Sequence, residues 1–274
     1  MENLENFGFK AMNTNKSIVS ELKKFWSEYS PYKFHPQDQE HIEANNLDKY
    51  CLDVSVDKMK QEYGEHFEHY DQKNFGNGII PNLYPVPFFG NVLEAKVYIL
   101  TLNPHFVPAC FQEDYENELY IQRLEKNLTL TMKAPFNIDK RLADTGGYRY
   151  WHPKYRSIIH NVVKKSDLDW EEAESKVTEN VAVIESIAYH SNFSPNVWKL
   201  FPLPSSQLAK EFVNQYLLPR VEDKKAFIFV QRSARHWGLE DNGSNLIVRD
   251  SMKARLPISE EETSKIADFL IEAF

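Results

Sequence analysis

Four short apolar runs along the chain, each ended by polar residues, predict the strands of a buried sheet. The runs span residues 95–102, 181–189, 225–230 and 245–248. The polar residues that end them are Asn103-Pro104, His190-Ser191, Gln231-Arg232-Ser233 and Arg249-Asp250-Ser251. Continuous apolar runs of this length are typical of strands that are buried on both faces of a parallel sheet.

Segments with apolar residues at helical spacing separate these runs. We expect helices at residues 113–130, 155–163, 205–218, 233–239 and 260–274. Strands that alternate with helices predict an α/β fold, here a three-layer αβα arrangement around a four-stranded, mainly parallel sheet. This domain is expected to occupy residues 81–274.

The first 80 residues have a different pattern. Residues 17–29 place apolar side chains at helical spacing, and Pro31 then ends that helix. A second helix is expected at residues 56–70, before a loop that contains several glycines and prolines. We therefore predict that residues 1–80 form a helical extension packed on the α/β domain.

Charge and cysteine content narrow the function classes. The formal net charge of the 274-residue chain is -8, which argues against a protein that coats nucleic acid and confines any such contact to one face. Cys51 and Cys110 are far apart and form no Cys-x-x-Cys pair, so disulfide scaffolds, structural zinc and iron–sulfur clusters are not expected. His66 and His69 lie among glutamates, where a solvated acidic helix face is preferred over a metal site.

The N-terminal residues and the lengths of the apolar runs bear on where the protein is expected to be located. The chain begins with acidic residues and lacks the apolar segment of a secretory signal, and no apolar run is long enough to span a bilayer. We therefore expect a cytoplasmic protein that does not bind membranes.

The polar residues at the strand ends are the candidates for chemistry, because ligands bind at the carboxyl ends of parallel strands. Asn103 can orient a water molecule or a polar ligand through its amide, or it can form an Asx turn that ends the strand. His190 can donate to a carbonyl or stabilise a developing anion, or it can be a buried, hydrogen-bonded residue without a chemical role. We expect these side chains to face one cleft.

Basic residues follow the last two strands. Arg232 with Ser233, and Arg249 with Ser251 and Lys253, are candidates for contacts to phosphates of a nucleic-acid backbone. The alternative is solvated surface charge.

A dense aromatic stretch at residues 146–153 is predicted to be a loop, because it begins with two glycines and ends in proline. Its Tyr148 and Trp151 can cover a ring-shaped ligand. The alternative is a loop that Trp151 pins to the core.

Residues 85–90, Pro-Val-Pro-Phe-Phe-Gly, and residues 95–104, which end in Thr-Leu-Asn-Pro, are similar to the uracil-DNA glycosylase superfamily. The single-strand-selective branch of that superfamily reads Gly-Met-Asn-Pro in its first motif, and here Thr101 replaces the glycine. The resemblance covers roughly residues 85–258 and implies that Asn103 positions the attacking water. It also implies substrate contacts from the neighbouring residues Leu102, Pro104, His105 and Phe106.

Two further motifs of the superfamily match less closely. Its central strand ends in a polar residue that reads the flipped base, a place that residues 187–191, including Tyr189, His190 and Ser191, occupy by topology. Its last motif carries a histidine in a His-Pro-Ser type loop, whereas residues 248–253 contain neither histidine nor proline. Either His190 substitutes for that histidine, or the enzyme acts on a different base, or the chain is no longer a glycosylase.

The resemblance implies a monofunctional DNA glycosylase that hydrolyses the N-glycosidic bond of a flipped, damaged or modified base, in DNA repair or in defence against modified viral DNA. Its partner is DNA that carries such a base, and the chemistry needs neither a metal nor an organic cofactor. Two other functions stay open. One is a catalytically inactive module that binds a nucleobase, nucleotide or protein, and the other is a hydrolase of free nucleosides.

Overall fold

The computed structural model describes residues 17–52, 54–63, 78–107, 111, 114, 116–191, 197–253 and 256–274. Several predictions fall wholly or partly outside these ranges, namely those for residues 64–70 of the second N-terminal helix, for the pair His66 and His69, for Cys110, and for residues 113 and 115 of the helix expected at 113–130. In the part of the chain that the structure describes, no helix combines the length and the apolar character needed to cross a membrane.

The described strands form a five-stranded sheet and a separate two-stranded ribbon. They are β1 (Ile79–Ile80), β2 (Phe88–Phe89), β3 (Val97–Thr101), β4 (Val181–Glu185), β5 (His190–Ser191), β6 (Phe227–Val230) and β7 (Leu246–Val248). The sheet has the order β2-β4-β3-β6-β7, and β1 pairs with β5 in the ribbon. Within the sheet, β3, β4, β6 and β7 are parallel, whereas β2 is antiparallel to β4. The fold is therefore mixed α/β with a mostly parallel sheet.

All four predicted strands are present, but the predicted strand count was too low. The fifth strand, β2, has only two residues, Phe88 and Phe89, which is too short to give a periodic signal. The predicted run at residues 181–189 also divides into two parts. Its sheet strand ends at Glu185, and the chain then turns to form β5, which pairs antiparallel with β1.

Helices surround the sheet. They are α1 (residues 17–27), α2 (Pro36–Ala44), α3 (Val56–Tyr63), α4 (Glu118–Leu128), α5 (Gly146–Lys165), α6 (Trp170–Asn180), α7 (Pro204–Phe212), α8 (Leu218–Glu222), α9 (Ala234–Trp237) and α10 (Glu260–Ala273). A π-helical turn, Val213–Leu217, joins α7 to α8.

The aromatic stretch at residues 146–153 is helical, so its prediction as a loop was wrong. Thr145 caps α5 by accepting a hydrogen bond from the Tyr148 backbone N–H, and the Gly146 N–H donates to Asp114 Oδ1 at 3.0 Å. Gly147 allows the helix to start here, because an added Cβ would lie 2.8 Å from the side chain of Asn137.

Side chains of the central strands alternate between two hydrophobic clusters. Tyr98 and Leu100 of β3 belong to one cluster, to which α1 and α7 also contribute. Val97 and Ile99 belong to the other, which includes buried residues of α4, α5, α6 and α10. Helix α1 therefore completes the core on one side of the sheet.

A third cluster joins α2 to the ribbon that follows β4, and a buried polar network runs through it. Asp38 accepts hydrogen bonds from the Tyr189 hydroxyl at 2.5 Å and from the Ser205 N–H at 2.9 Å. Tyr189 Oη in turn accepts a bond from the His35 N–H at 3.0 Å. This network fixes the position of Tyr189, directly before His190.

Candidate active site

A cavity of about 530 Å³ lies at the carboxyl ends of the strands. Parallel pairing brings the strand ends together, because Thr101 of β3 lies opposite Glu185 of β4, and Leu100 lies opposite Val230 of β6. Ten of the predicted site residues line the cavity: Leu102, Asn103, Pro104, His105, Phe106, Trp151, His190, Ser191, Arg232 and Ser233.

The segment after β3 is tied to β5 across the cavity wall. Ser191 N–H donates to the Pro104 carbonyl at 3.1 Å, and Phe106 N–H donates to the Ser191 carbonyl at 2.8 Å. His105 bridges to Ser191 as in a parallel ladder. Residues 103–106 are therefore held against His190 and Ser191.

Asn103 has a fixed amide orientation. Its Nδ2 donates to Ser191 Oγ at 2.8 Å, to the Pro104 carbonyl at 3.1 Å and to the Tyr189 carbonyl at 3.2 Å. Two of these acceptors are carbonyls, which cannot donate, so the amide cannot be flipped without losing both bonds. The side-chain oxygen Oδ1 is consequently the atom left to accept a hydrogen bond in the cavity.

His190 is buried in the cavity wall, and its Nε2 has no hydrogen-bond partner among the described residues. Burial lowers the pKa of its imidazole to about 4. The ring is therefore neutral at physiological pH and carries one N–H donor.

Glu185 is a site residue that the sequence did not reveal. It ends β4, lines the cavity and is 4% exposed, and its Oε2 has no partner among the described residues. Burial raises the pKa of this carboxyl to about 8, although the positive charge of Arg232 acts in the opposite direction. The carboxyl is therefore mostly protonated at neutral pH and can donate a hydrogen bond.

Arg232 brings positive charge to the end of β6, and the next residue, Ser233, has a left-handed backbone with φ of 60°. Burial, followed by the charge of Arg232, lowers the pKa of Lys154 to about 8. The Lys154 Nζ lies 3.1 Å from the centroid of the Tyr150 ring and donates to the Tyr150 carbonyl at 2.9 Å. This side of the cavity is thus basic and aromatic.

Aromatic rings form much of the cavity wall. Those that line it are Phe89, Phe106, Phe111, Tyr120, Tyr150 and Trp151. Flat apolar walls with a few polar groups suit a planar ring as ligand. In α5, the lining residues are Gly146, Gly147, Tyr150 and Trp151, a helical spacing that the prediction of a loop concealed.

Two predicted substrate contacts are corrected by the structure. The Tyr148 ring stacks on His152, with centroids 4.6 Å apart, and does not line the cavity. The Tyr189 ring is buried in the third cluster with its hydroxyl on Asp38, so only its backbone carbonyl reaches the site, through Asn103.

Arg249 is also misassigned as a phosphate contact. It is buried and ion-paired with Glu262, with its Nε 2.9 Å from Oε1 and its Nη2 bonded to Oε2. Its guanidinium also donates to three carbonyls, those of Lys253, Leu256 and Pro257. All of its donor groups thus serve to hold the loop after β7 on α10, and none is available for a ligand.

The remaining predicted backbone contacts lie on that loop. Lys253 is exposed and does not line the cavity. Ser251 begins the 3-10 turn Ser251–Lys253, and the prediction for its side chain lies outside what the structure describes.

The described ranges contain no group of three or more His, Cys, Asp or Glu side chains arranged to hold a metal ion.

What the cavity offers is a set of hydrogen-bonding groups in an aromatic enclosure. Asn103 supplies an acceptor, and Glu185 and neutral His190 each present a buried polar atom without a partner. Such buried orphan atoms are rare and are commonly satisfied by water or ligand. Comparison with known proteins adds no assignment, since no protein-family model matches the chain and neither a curated protein nor a solved structure is significantly similar to it.

Proposed function

We propose that the chain is a DNA glycosylase that hydrolyses the N-glycosidic bond of a damaged or modified base. The observation that carries the proposal is the orientation of Asn103, whose amide nitrogen is fixed by three acceptors and whose oxygen remains for a water molecule. A water held by Oδ1 can attack the sugar carbon as the base departs. A neutral amide orients water without removing its proton, so the bond to the base must break largely before attack.

In this reaction the departing base takes the electron pair of the glycosidic bond, and water supplies the hydroxyl group of the sugar product and a proton. His190 is suited to stabilise the departing base in the tautomer that carries its proton on Nε2, because that buried atom has no partner among the described residues and stands in the cavity wall. In this assignment, His190 takes the role of the histidine that the superfamily carries in its last motif. Residues 248–253, which correspond to that motif, contain no histidine.

Glu185 is suited to read the edge of the base. A protonated carboxyl presents one donor and one acceptor side by side, which complements a ring edge with an N–H next to a carbonyl. The unpartnered Oε2 of Glu185 would then form a hydrogen bond with the base that Glu185 selects. The aromatic wall, including Tyr150 and Trp151, supplies the stacking surfaces for the flipped base.

The fold is consistent with the resemblance of residues 95–104 to the uracil-DNA glycosylase superfamily. A three-layer αβα arrangement accounts for the two hydrophobic clusters on the central strands. The biological role that fits is DNA repair or defence against modified viral DNA, in the cytoplasm. No step of the proposed reaction requires a metal or organic cofactor.

Excision assays on defined oligonucleotides test the proposal. Strands that carry uracil or oxidised or hypermodified pyrimidines are incubated with the protein and then cleaved with alkali. We expect cleavage on at least one substrate and a rate at least about 100-fold lower for Asn103→Ala, the scale of a lost catalytic group. Asn45→Ala is the matched control, because Asn45 is an exposed asparagine in the loop after α2.

The same assay separates the rival functions. The net charge of -8 and the internal use of Arg249 favour a small ligand over DNA. Hydrolysis of free nucleosides without cleavage of any oligonucleotide would therefore identify a nucleoside hydrolase. Binding of bases or nucleotides without turnover, unchanged in Asn103→Ala, would identify an inactive binding module.

A further inference from the structure

A patch of two lysines and two aromatic rings lies outside the cavity; it consists of Lys49, Tyr50, Trp198 and Lys199 and is called the Trp198 patch. The Lys199 Nζ lies 4.6 Å from the centroid of the Tyr50 ring and 5.4 Å from that of Trp198, and it donates to the Tyr50 hydroxyl at 2.5 Å. The Lys49 Nζ lies 5.5 Å from the centroid of the Tyr50 ring.

The most unusual member of the patch is Trp198, because 57% of its surface is exposed. Tryptophan buries a large area and is mostly covered in folded proteins. Here the neighbouring residues Val197 and Leu200 anchor the turn in the third cluster while the indole remains outside. The indole therefore offers an exposed stacking surface on a turn that is anchored in the core.

The patch is positively charged in a protein of net charge -8. Within the described ranges, neither Lys49 nor Lys199 forms an ion pair with a carboxylate. The hydrogen bond from Lys199, and then the charges of both lysines, lower the pKa of the Tyr50 hydroxyl. The lysine charges therefore remain available to an anionic partner.

Backbone pairing connects the patch to the cavity. Cys51, next to Tyr50, bridges to Ile79, and Ile79 lies opposite Ser191, which lines the cavity. Two strand spacings separate Cys51 from Ser191, a distance of roughly 10 Å. A nucleic-acid strand with one base in the cavity can reach this distance within a few nucleotides.

We propose that the Trp198 patch binds single-stranded DNA beside the base held in the cavity. One base of the strand stacks on Trp198, and Lys49 and Lys199 contact phosphates. Stacking on aromatic rings combined with lysine contacts to phosphates is the general chemistry of single-strand recognition and does not depend on sequence. The inference rests on the proposed function for the identity of the polymer, and it assigns a DNA-binding role to Lys49 and Tyr50 of the N-terminal 80 residues.

Binding of a fluorescein-labelled oligothymidine of about 12 nucleotides, followed by anisotropy, tests the inference with the full chain. We expect Trp198→Ala to weaken binding by about 5- to 150-fold, the range for one lost stacked base. The matched control is Trp170→Ala, because Trp170 is 38% exposed at the start of α6 and lies outside the patch. The control is expected to bind like the unaltered protein.

The salt dependence of binding provides a second, independent measurement. Replacing both Lys49 and Lys199 by alanine removes two phosphate contacts, so the slope of log affinity against log salt should become shallower by about 1.4. The matched control is Lys225→Ala, since Lys225 is exposed and paired with Asp223 before β6. Its slope should not change.

The oligothymidine carries no damaged base, so the result is separate from excision. Equal binding by Trp198→Ala, Trp170→Ala and the unaltered protein would overturn the inference even if excision is observed. A selective loss of binding in Trp198→Ala would support it even if no oligonucleotide is cleaved, in which case the proposed function alone fails. Tighter binding of a duplex of the same length, with equal dependence on Trp198, would also overturn the single-strand assignment.

Discussion

At the scale of residues, the cavity holds two buried groups whose pKa values shift in opposite directions. Burial disfavours charge on both, which raises the pKa of Glu185 to about 8 and lowers that of His190 to about 4. Both groups are therefore neutral at pH 7. A neutral acid and a neutral imidazole can each donate a hydrogen bond without bringing charge near a departing base.

Substituting Glu185 tests this role through the pH dependence of excision. Above about pH 8 the carboxyl ionises, loses its donor and places a negative charge next to the departing base, so we expect the rate to fall by about tenfold per pH unit. In Glu185→Gln the amide donates at every pH, so excision at pH 7 should persist and the alkaline decline should vanish. Single-turnover rates between about pH 6 and 9.5 measure both effects.

Glu211→Gln is the control for that experiment, because Glu211 is exposed on α7. Its profile should match that of the unaltered protein. An alkaline decline that survives unchanged in Glu185→Gln would show that another group causes it and would remove Glu185 from the site.

The placement of Asn103 and His190 in the cavity wall was predictable from the sequence, because each residue follows an apolar run. Glu185 was concealed by the apolar residues that come after it, so residues 181–189 resembled one long strand. The sheet strand ends where Glu185 pairs with Thr101 of β3, and the chain then turns so that β5 pairs with β1, which is distant in sequence. The partner of Arg249 was likewise invisible, because its pairing with Glu262 depends on how α10 packs.

At the scale of elements, the four main strands were predictable from their apolar runs, and the start of α5 was not. Two glycines and Pro153 favour a loop by local propensity. Tertiary contacts override that preference, since Asp114 accepts from the Gly146 N–H and Trp151 packs against Phe89, with centroids 4.9 Å apart. The cavity wall formed by α5 therefore depends on contacts with residues that are distant in the sequence, and local sequence patterns do not predict such contacts.

Helix α2 and the ribbon are expected to depend on Asp38. In Asp38→Ala the buried Tyr189 hydroxyl and Ser205 N–H lose their acceptor, and each lost bond costs about 1–3 kcal/mol. We expect the free energy of unfolding, measured with urea, to fall by about 3 kcal/mol. Asp57→Ala, in an exposed position of α3, should change it by less than about 0.5 kcal/mol.

An equal loss of unfolding free energy in Asp38→Ala and Asp57→Ala would mean that the Asp38 network does not join α2 to the ribbon. Tyr189→Phe leaves the Ser205 contact of Asp38 in place but removes the hydroxyl, which takes away both its bond to Asp38 and the acceptor of the His35 N–H. Its effect should lie between those of the other two variants, at about 1 kcal/mol.

At the scale of the whole molecule, the buried groups that shape the cavity also link its stability to pH. The Glu185 pKa is about 8 in the folded protein, compared with an ordinary value of 4.5. Between these values the folded state binds the additional proton, so the contribution is complete below about pH 4.5 and is lost as the pH rises through 8.

The contribution of His190 to stability depends on pH in the opposite direction. Its pKa is about 4 in the folded protein, compared with an ordinary value of 6.5. Between these values the unfolded state binds the additional proton, so this contribution is present above about pH 6.5 and is lost as the pH falls toward 4. The two dependences oppose each other between about pH 4.5 and 6.5, and above 6.5 only that of Glu185 remains.

The window between about pH 6.5 and 8 therefore isolates Glu185, and Glu185→Gln should be less sensitive to pH there than the unaltered protein. Urea unfolding at several pH values measures the free energy of unfolding of both proteins. Relative to the unaltered protein, Glu185→Gln should gain up to about 1.4 kcal/mol for each unit by which the pH rises. Below about pH 6.5, His190→Asn should lose less stability on acidification than the unaltered protein. Parallel pH profiles for Glu185→Gln and the unaltered protein would mean that the pKa of the carboxyl is not raised in the folded state. The cavity would then lack the neutral donor on which base reading depends, although the water-positioning role of Asn103 would be unaffected.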